Sequence, residues 1–573
     1  MLQKSETTER ELEENIGRIK LKESDGRACA GTSYATLLDA GHISFINFAN
    51  QYRTTGKLRE AELEIRREIK DIEYFLGHES YVWMDATSTL SHLCKAHGRW
   101  KEAEELDMQV METRKRVLGE EHLDTLVSMG NLASTFWNQG RWEEAKELQV
   151  KQLDICKRVL GEEYPDTLTS MANLASTYRD QGQWKEAEEL EVQVMETFKR
   201  VFGAEHPDTL ASMTNLASTY RDQGQWKEAK ELEVQVIEIR KKVLGEEHPD
   251  TLTGMANLAS TYRDQGRCKE AEELQAKELE ICKRVLGAEH PSTLTSTGNL
   301  ALTYSNQGRW KEAKELEVQV MEMFKRVLGR EHPDTLTSMA NLALMYKNQG
   351  QCKEAEELEV QVVEMFKRVL GEEHPDTLTS IAILASIFWD QGRWKEAEEL
   401  DTQVIETRKK VLGVEHPNTL TSMNNLASTY SNQGRWKEAE ELGLQVMETS
   451  KRVLGAEHPN TLSSITNLAS TYSNQMRWKE AEELDIQVIG TRKRMLGAEH
   501  PDTLVSMGNL ASTYRNQERW KEAEELNMQV MEIRKRVLGE EHPFTLTSIN
   551  NLAFTLNSQG SNSEAILLME KCF

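Results

Sequence analysis

The chain has 573 residues, 95 Asp and Glu against 70 Lys and Arg, a formal net charge of −25 and 38% hydrophobic residues, a globular acidic composition. Its sign opposes nucleic-acid binding, which needs a Lys and Arg surplus on some face. No apolar run approaches the roughly 18 residues that cross a bilayer, and the first thirty residues are too charged for a signal peptide, so no membrane partner and a cytoplasmic location are expected.

Seven cysteines, never as C-x-x-C, fit neither a disulfide scaffold nor a zinc ribbon and suit a reducing compartment. In chain order, residues 1–33 form a charged segment expected to be poorly ordered. Leu12, Ile16 and Ile19 mark one short amphipathic helix there, too brief for a coiled coil. Residues 34–573 read as one repeat array. Its first unit, about 44–77, is degenerate: Phe45, Asn47, Phe48, Ala49, Tyr52, Gly56, Leu58 and Ala61 keep only part of the pattern.

The period of 42 residues is then marked by Gly77, Gly119, Gly161 and so on to Gly539, and all ten prolines, Pro165 to Pro543, share one repeat position. In the unit from Pro165, Leu168, Met171, Leu174, Ala175 and Tyr178 fall at steps of three and four, which predicts a helix. Pro165 and Asp166 suit its first turn and Gly182 its stop. Trp184, Ala187, Leu190, Val194 and Val201 predict a second helix, with Lys199 and Arg200 in its last turn and Gly203 as its stop.

One helix pair recovers too little from its apolar side chains to order its own backbone, so neighbours must stack. Alanine at one place in every second helix (Ala103, Ala145, Ala187 and on to Ala565) allows close approach. The expected fold is all-α: a right-handed α-solenoid of about thirteen antiparallel helix pairs. The last unit, about 543–573, is truncated, carries Asn562 in place of Trp, and reads as a cap.

The spacing of Leu174, Ala175, Tyr178, Gly182, Trp184, Ala187 and Val194 resembles the tetratricopeptide repeat. The longer period, with L-G-x-E-H-P-D-T-L followed by N-L-A-S-T-Y, resembles the kinesin-light-chain type found in many fungal and bacterial multi-repeat proteins. The resemblance implies a protein-interaction array. It also carries two alternatives: a kinesin-light-chain-like cargo adaptor, whose long heptad coiled coil this chain lacks, and a regulatory sensor for a separate nucleotide-switch ATPase of NB-ARC/STAND type. No G-x-x-x-x-G-K-[ST] occurs in the chain.

First helices are expected to line the concave face. One position there is filled by Asn131, Asn173, Asn215, Asn257, Asn299, Asn341, Asn425, Asn467, Asn509 and Asn551, broken by Thr89 and Ile383. An asparagine amide donates to and accepts from a peptide backbone at once, so the row could hold an extended chain. The resemblance implies the same, because concave asparagines of that family contact bound peptides. The alternative is that each amide bonds a neighbouring helix and keeps register.

Nearby positions vary: Arg179 with Asp180, Arg221 with Asp222, Arg263 with Asp264, then Ser305, Lys347, Trp389, Ser431, Ser473 and Arg515. Arg179, Arg221, Arg263, Lys347 and Arg515 are candidates for selecting partner side chains, acidic ones in particular, although the adjacent aspartates offer local neutralisation.

The histidines, such as His206, His248 and His290, lie one helix pair apart, too far to share an ion, and are read as helix-start residues. The Trp row, in which Cys268 and Cys352 substitute, is read as core. K-E-A-E-E-L is read as a solvated helix face. No Ser, His and Asp grouping, G-x-S-x-G elbow or phosphate loop stands out, so neither catalysis, a cofactor nor a small-molecule substrate is expected. The expected partners are protein or peptide, with the oligomeric state open.

Overall fold

The repeat unit becomes two helices because its sequence stops the chain twice. In the unit from Pro165 the first helix spans Pro165–Asp180 and the second Trp184–Phe202. Pro165 sits in the first turn, where its missing N–H costs nothing. Gly182 takes a left-handed φ of 72°, and the N–H of Gln183 closes back on the Tyr178 carbonyl at 2.8 Å. Gly203, at φ 92° and ψ 167°, ends the second helix in a region that only glycine occupies readily.

The loop that follows is tied down by side chains of the next unit. The Thr209 hydroxyl donates to the Gly203 carbonyl at 2.8 Å, and Thr125, Thr251, Thr335 and Thr377 repeat the bond. His206 caps the next helix: its Nδ1 accepts from the Asp208 N–H at 3.3 Å. The same cap recurs at His248, His290, His332, His374, His416, His458, His500 and His542. The helix-start reading of the histidines is therefore what the structure shows.

The structure, a computed structural model, describes residues 58–569, in which there are 25 helices and no strand. Leu58–Leu76 takes the place of a second helix, and the degenerate first-unit positions before it and the segment 1–33 lie outside the described residues. From Tyr81–Ala96 with Trp100–Leu118, the helices pair off as far as Pro543–Ser558 with the short Asn562–Met569. The whole is an α-solenoid of helix pairs.

A representative core layer packs Leu168, Met171 and Leu174 on Leu153, Val194 and Phe198. The alanine row is buried throughout, from 0% exposure at Ala103 to 6% at Ala565. The second-helix stripe differs from the expectation at its ends. Val201 is exposed and Trp184 half-buried, while Glu191 and Phe198 are buried, because the buried line runs Ala187, Glu191, Val194, Phe198. Nor is the Trp row core: Trp394 and Trp436 are 38% and 43% exposed, since this slot opens the second helix at the edge of the layer.

Neighbouring first helices touch one another and neighbouring second helices do not to the same degree, so the array curves with its first helices inside. His416 donates from Nε2 to the Asp180 carbonyl at 2.9 Å across 236 residues. That carbonyl ends a first helix six units earlier, so one superhelical turn takes about six repeats and successive turns abut. His332, His374 and His458 make the same bond to Ala96, Asn138 and Asp222. The Trp142 and Trp184 indoles stack on His416 and His458 at 5.7 and 5.0 Å between ring centroids. Since Nδ1 of each ring accepts the cap bond, Nε2 must carry the proton that crosses the seam.

Candidate peptide-binding groove

The asparagine row lies along the inner face. Asn173 and Asn425 are exposed, and Asn131, Asn215, Asn257, Asn299, Asn341, Asn467 and Asn509 are half-buried. Asn467 donates to the Ser428 hydroxyl at 3.2 Å, and Asn341 lies near enough to the Glu317 carboxyl to favour its charged form. The other amides of the row have no side-chain partner among the described residues. A register-keeping bond between helices is thus made at Asn467, and the other amides of the row are unspent among the described residues.

The variable residues are placed differently. Several stand beside the last residue of their own or of the next first helix. Arg179 Nε lies 3.9 Å from Asp180 and 3.7 Å from Asp222, Arg263 Nε 3.9 Å from Asp264, and Lys347 Nζ 3.4 Å from Asp390. Arg221 sits within electrostatic reach of Asp222 and Asp264. Where the slot holds serine, Asn474 and Asn516 bond Ser431 and Ser473 instead. Burial raises the pKa of Asp180, Asp222 and Asp264, against the lowering pull of these arginines. Arg515 lies over the Phe554 ring at 4.6 Å, and burial lowers its pKa.

A cleft of about 490 Å³ opens between the first helices Leu123–Asn138 and Pro165–Asp180. It gathers Asn131, Asn173 and Arg179 of the candidate residues. The rest continue along the inner face at repeat spacing and are not brought into one pocket. Among the described residues no group of three or more His, Cys, Asp or Glu is placed to hold a metal, and no helix is long and apolar enough to cross a membrane.

The Tetratricopeptide repeat family model matches at residues 84–149, 130–200, 234–277, 250–326, 379–451, 424–494, 461–535 and 502–573, and a second model of that description at 209–250 and 335–376. Matches of that extent span more than half of the chain. It belongs to the tetratricopeptide repeat family. No curated protein matches the chain. Among solved structures it is similar to a "putative kinesin light chain" of Podosopora anserina with "nearly identical TPR-like repeats". Identity there is 40%, over 36% of this chain and 98% of that one, with a TM-score of 0.31. A form of that same protein carrying one substitution gives 40% identity, 36% and 96% coverage and a TM-score of 0.31. BtubC (BKLC) from P. vanneervenii matches at 20% identity, over 40% of this chain and 92% of that one, with a TM-score of 0.34.

Two features of this tetratricopeptide array lie outside what its sequence pattern suggested. The recurring Gln before Gly182 and its equivalents is a clamp between units: Gln307 Nε2 donates to the Cys268 carbonyl at 3.1 Å and to Glu272 at 2.8 Å. Arg309 completes it, 2.8 Å from Glu272 with its guanidinium 3.9 Å over the Tyr304 ring. The carboxylates of K-E-A-E-E-L are therefore partly structural. A second line of acids is buried: Glu191, Glu233, Glu317 and Glu359, each pushed by burial up to about 7. The signal for the buried acids was present, since a polar residue recurring four positions after a buried alanine shares its face.

Proposed function

We propose that the array is a non-catalytic interaction scaffold or adaptor that binds extended or helical segments of partner proteins along its inner groove. On this reading it acts in the cytoplasm and uses no cofactor, nucleic acid, membrane or small-molecule substrate. The observation that carries the proposal is the line of asparagine amides on the inner face, most of them without a protein partner. A peptide backbone offers one donor and one acceptor per residue, which is what such an amide complements without reading side chains. The near identity of successive units favours a length-tolerant surface over one bespoke pocket.

The test is retrieval of partners from native lysate by the full chain and by a variant with Asn215→Ala, Asn257→Ala and Asn299→Ala. Each amide is worth about 1 kcal/mol net, so three together predict a loss of binding on the order of tenfold or more with an unchanged helical spectrum. Equal recovery of every specific partner by a folded variant would overturn the groove reading.

A further inference from the structure

The cleft at Leu123–Asn138 brings together three residues that no other unit combines. Nine other units place valine where Gln152 stands: Val110, Val194, Val236, Val320, Val362, Val404, Val446, Val488 and Val530. Gly130, a glycine that recurs at Gly298 and Gly508, leaves room directly above it: a Cβ there would approach the Gln152 amide to 3.0 Å. Trp137 takes the position that holds Arg179 in the next unit, and its indole N–H is fixed on Asp180 Oδ2 at 2.6 Å, which sets the ring as a wall.

Gln149 and Gln152 are 4% and 7% exposed and line this cleft. Their amide nitrogens are spent, Gln149 on the Asn173 carbonyl at 3.4 Å and Gln152 on the Leu126 carbonyl at 3.0 Å. Their oxygens, Gln149 Oε1 and Gln152 Oε1, have no partner. Two unpartnered acceptors at the wall of the cleft, each almost closed to solvent, cost free energy until a side-chain turn brings them to a donor. Resting on the groove reading above, we propose that this cleft is a subsite for an arginine side chain of the bound segment.

The chemistry excludes acidic and aliphatic side chains and favours a planar fork of donors. A carboxylate or an aliphatic tip leaves both oxygens unpaired. A guanidinium carries five N–H donors in a planar fork, reaches two acceptors three residues apart on one helix, and stacks on an indole. Asp166 lines the same cleft and supplies a carboxylate, while Arg179 is already held by Asp180 and Asp222. The chain's net charge of −25 draws cations to its surface.

The test titrates capped arginine (N-acetyl-arginine N-methylamide) into the full chain, with capped citrulline and capped norleucine beside it, followed by ligand-observed NMR. Arginine is expected to bind saturably, citrulline more weakly and norleucine not at all. Gln152→Val, which installs the residue of the other units and so keeps the fold, is expected to weaken arginine binding at least about tenfold, with an unchanged circular dichroism spectrum as the control. No binding of arginine to the native chain, or equal binding to Gln152→Val, overturns the subsite; citrulline binding as tightly as arginine overturns the assignment to a cation. The three-asparagine variant leaves this cleft intact, so loss of partner without arginine binding overturns the subsite alone, and arginine binding with partner recovery unchanged overturns the groove reading alone.

Discussion

Met476 and Glu518 hold left-handed φ values of 61° and 62° in the slot that glycine fills in most other units. A side chain there costs about 1 kcal/mol. The position explains why the cost is borne. In the first superhelical turn the slot is pressed from above: a Cβ at Gly98, Gly140, Gly182 or Gly224 would overlap the ring of Pro333, Pro375, Pro417 or Pro459. In the second turn nothing lies within 4 Å of a Cβ at Gly350, Gly392 or Gly434, and Met476 is 74% exposed. Only backbone strain then favours glycine. Met476→Gly and Glu518→Gly are expected to raise stability by about 1 kcal/mol each, seen as a higher urea midpoint with an unchanged slope. A lower midpoint for both would show that the helix end is not left-handed there.

Between helices, stability passes through the Gln and Arg clamp as much as through the apolar layer. Gln307→Ala removes bonds to the Cys268 carbonyl and to Glu272, and strips Arg309 of a neighbour. The expected cost is about 1–3 kcal/mol, confined to one interface because each unit contacts chiefly its neighbours. Hydrogen exchange should speed up in Pro291–Asn306 and Cys268–Val285 and stay unchanged in Pro459–Asn474; uniform acceleration would mean that the array opens as a whole. The helices themselves were legible in the sequence. The first-helix stripe, the Gly182 and Gly203 stops and the histidine caps depend only on spacing within some twenty residues, and the structure holds each of them; the second-helix stripe it holds except at its ends, Trp184 and Val201. The clamp was not, because Gln and Glu on a helix also describe a solvated face, and nothing local separates Glu188, which bonds Gln223, from the exposed Glu189. The asparagine row was legible as one repeated position, whereas the pairing of Arg179 with Asp222 of the next unit depends on how far the layers twist.

Across the whole molecule the seam between turns was hidden for a simpler reason: His206 and His416 stand in the same local sequence, yet only His416 reaches a carbonyl 236 residues away. That seam and the buried acids respond oppositely to pH. Burial raises Glu191, Glu233, Glu317, Glu359 and Asp401 to about 7 and Asp485 to about 6. A raised value means that the folded state prefers the proton, so this stability is present in mild acid and is lost as pH rises from the ordinary carboxylate range through about 7. Burial lowers His416 to about 4, with the Arg408 charge adding to the effect against the Asp180 carbonyl bond, and burial lowers His458 too. A lowered value means that the seam prefers the neutral ring, so its contribution is present above the ordinary histidine range, near about 6.5, and is lost as pH falls towards about 4. Protonation at Nδ1 would also set two donors face to face at the helix cap. Acidification from about pH 8 to about pH 5 is therefore expected to raise the melting temperature of the helices while lowering the sedimentation coefficient, as the turns separate without unfolding. Glu359→Gln, a residue that Gln275 already carries in the equivalent slot, should remove part of the first response and none of the second. A melting temperature that climbs with pH, or a sedimentation coefficient that holds constant through this range, would refute the corresponding half of the argument.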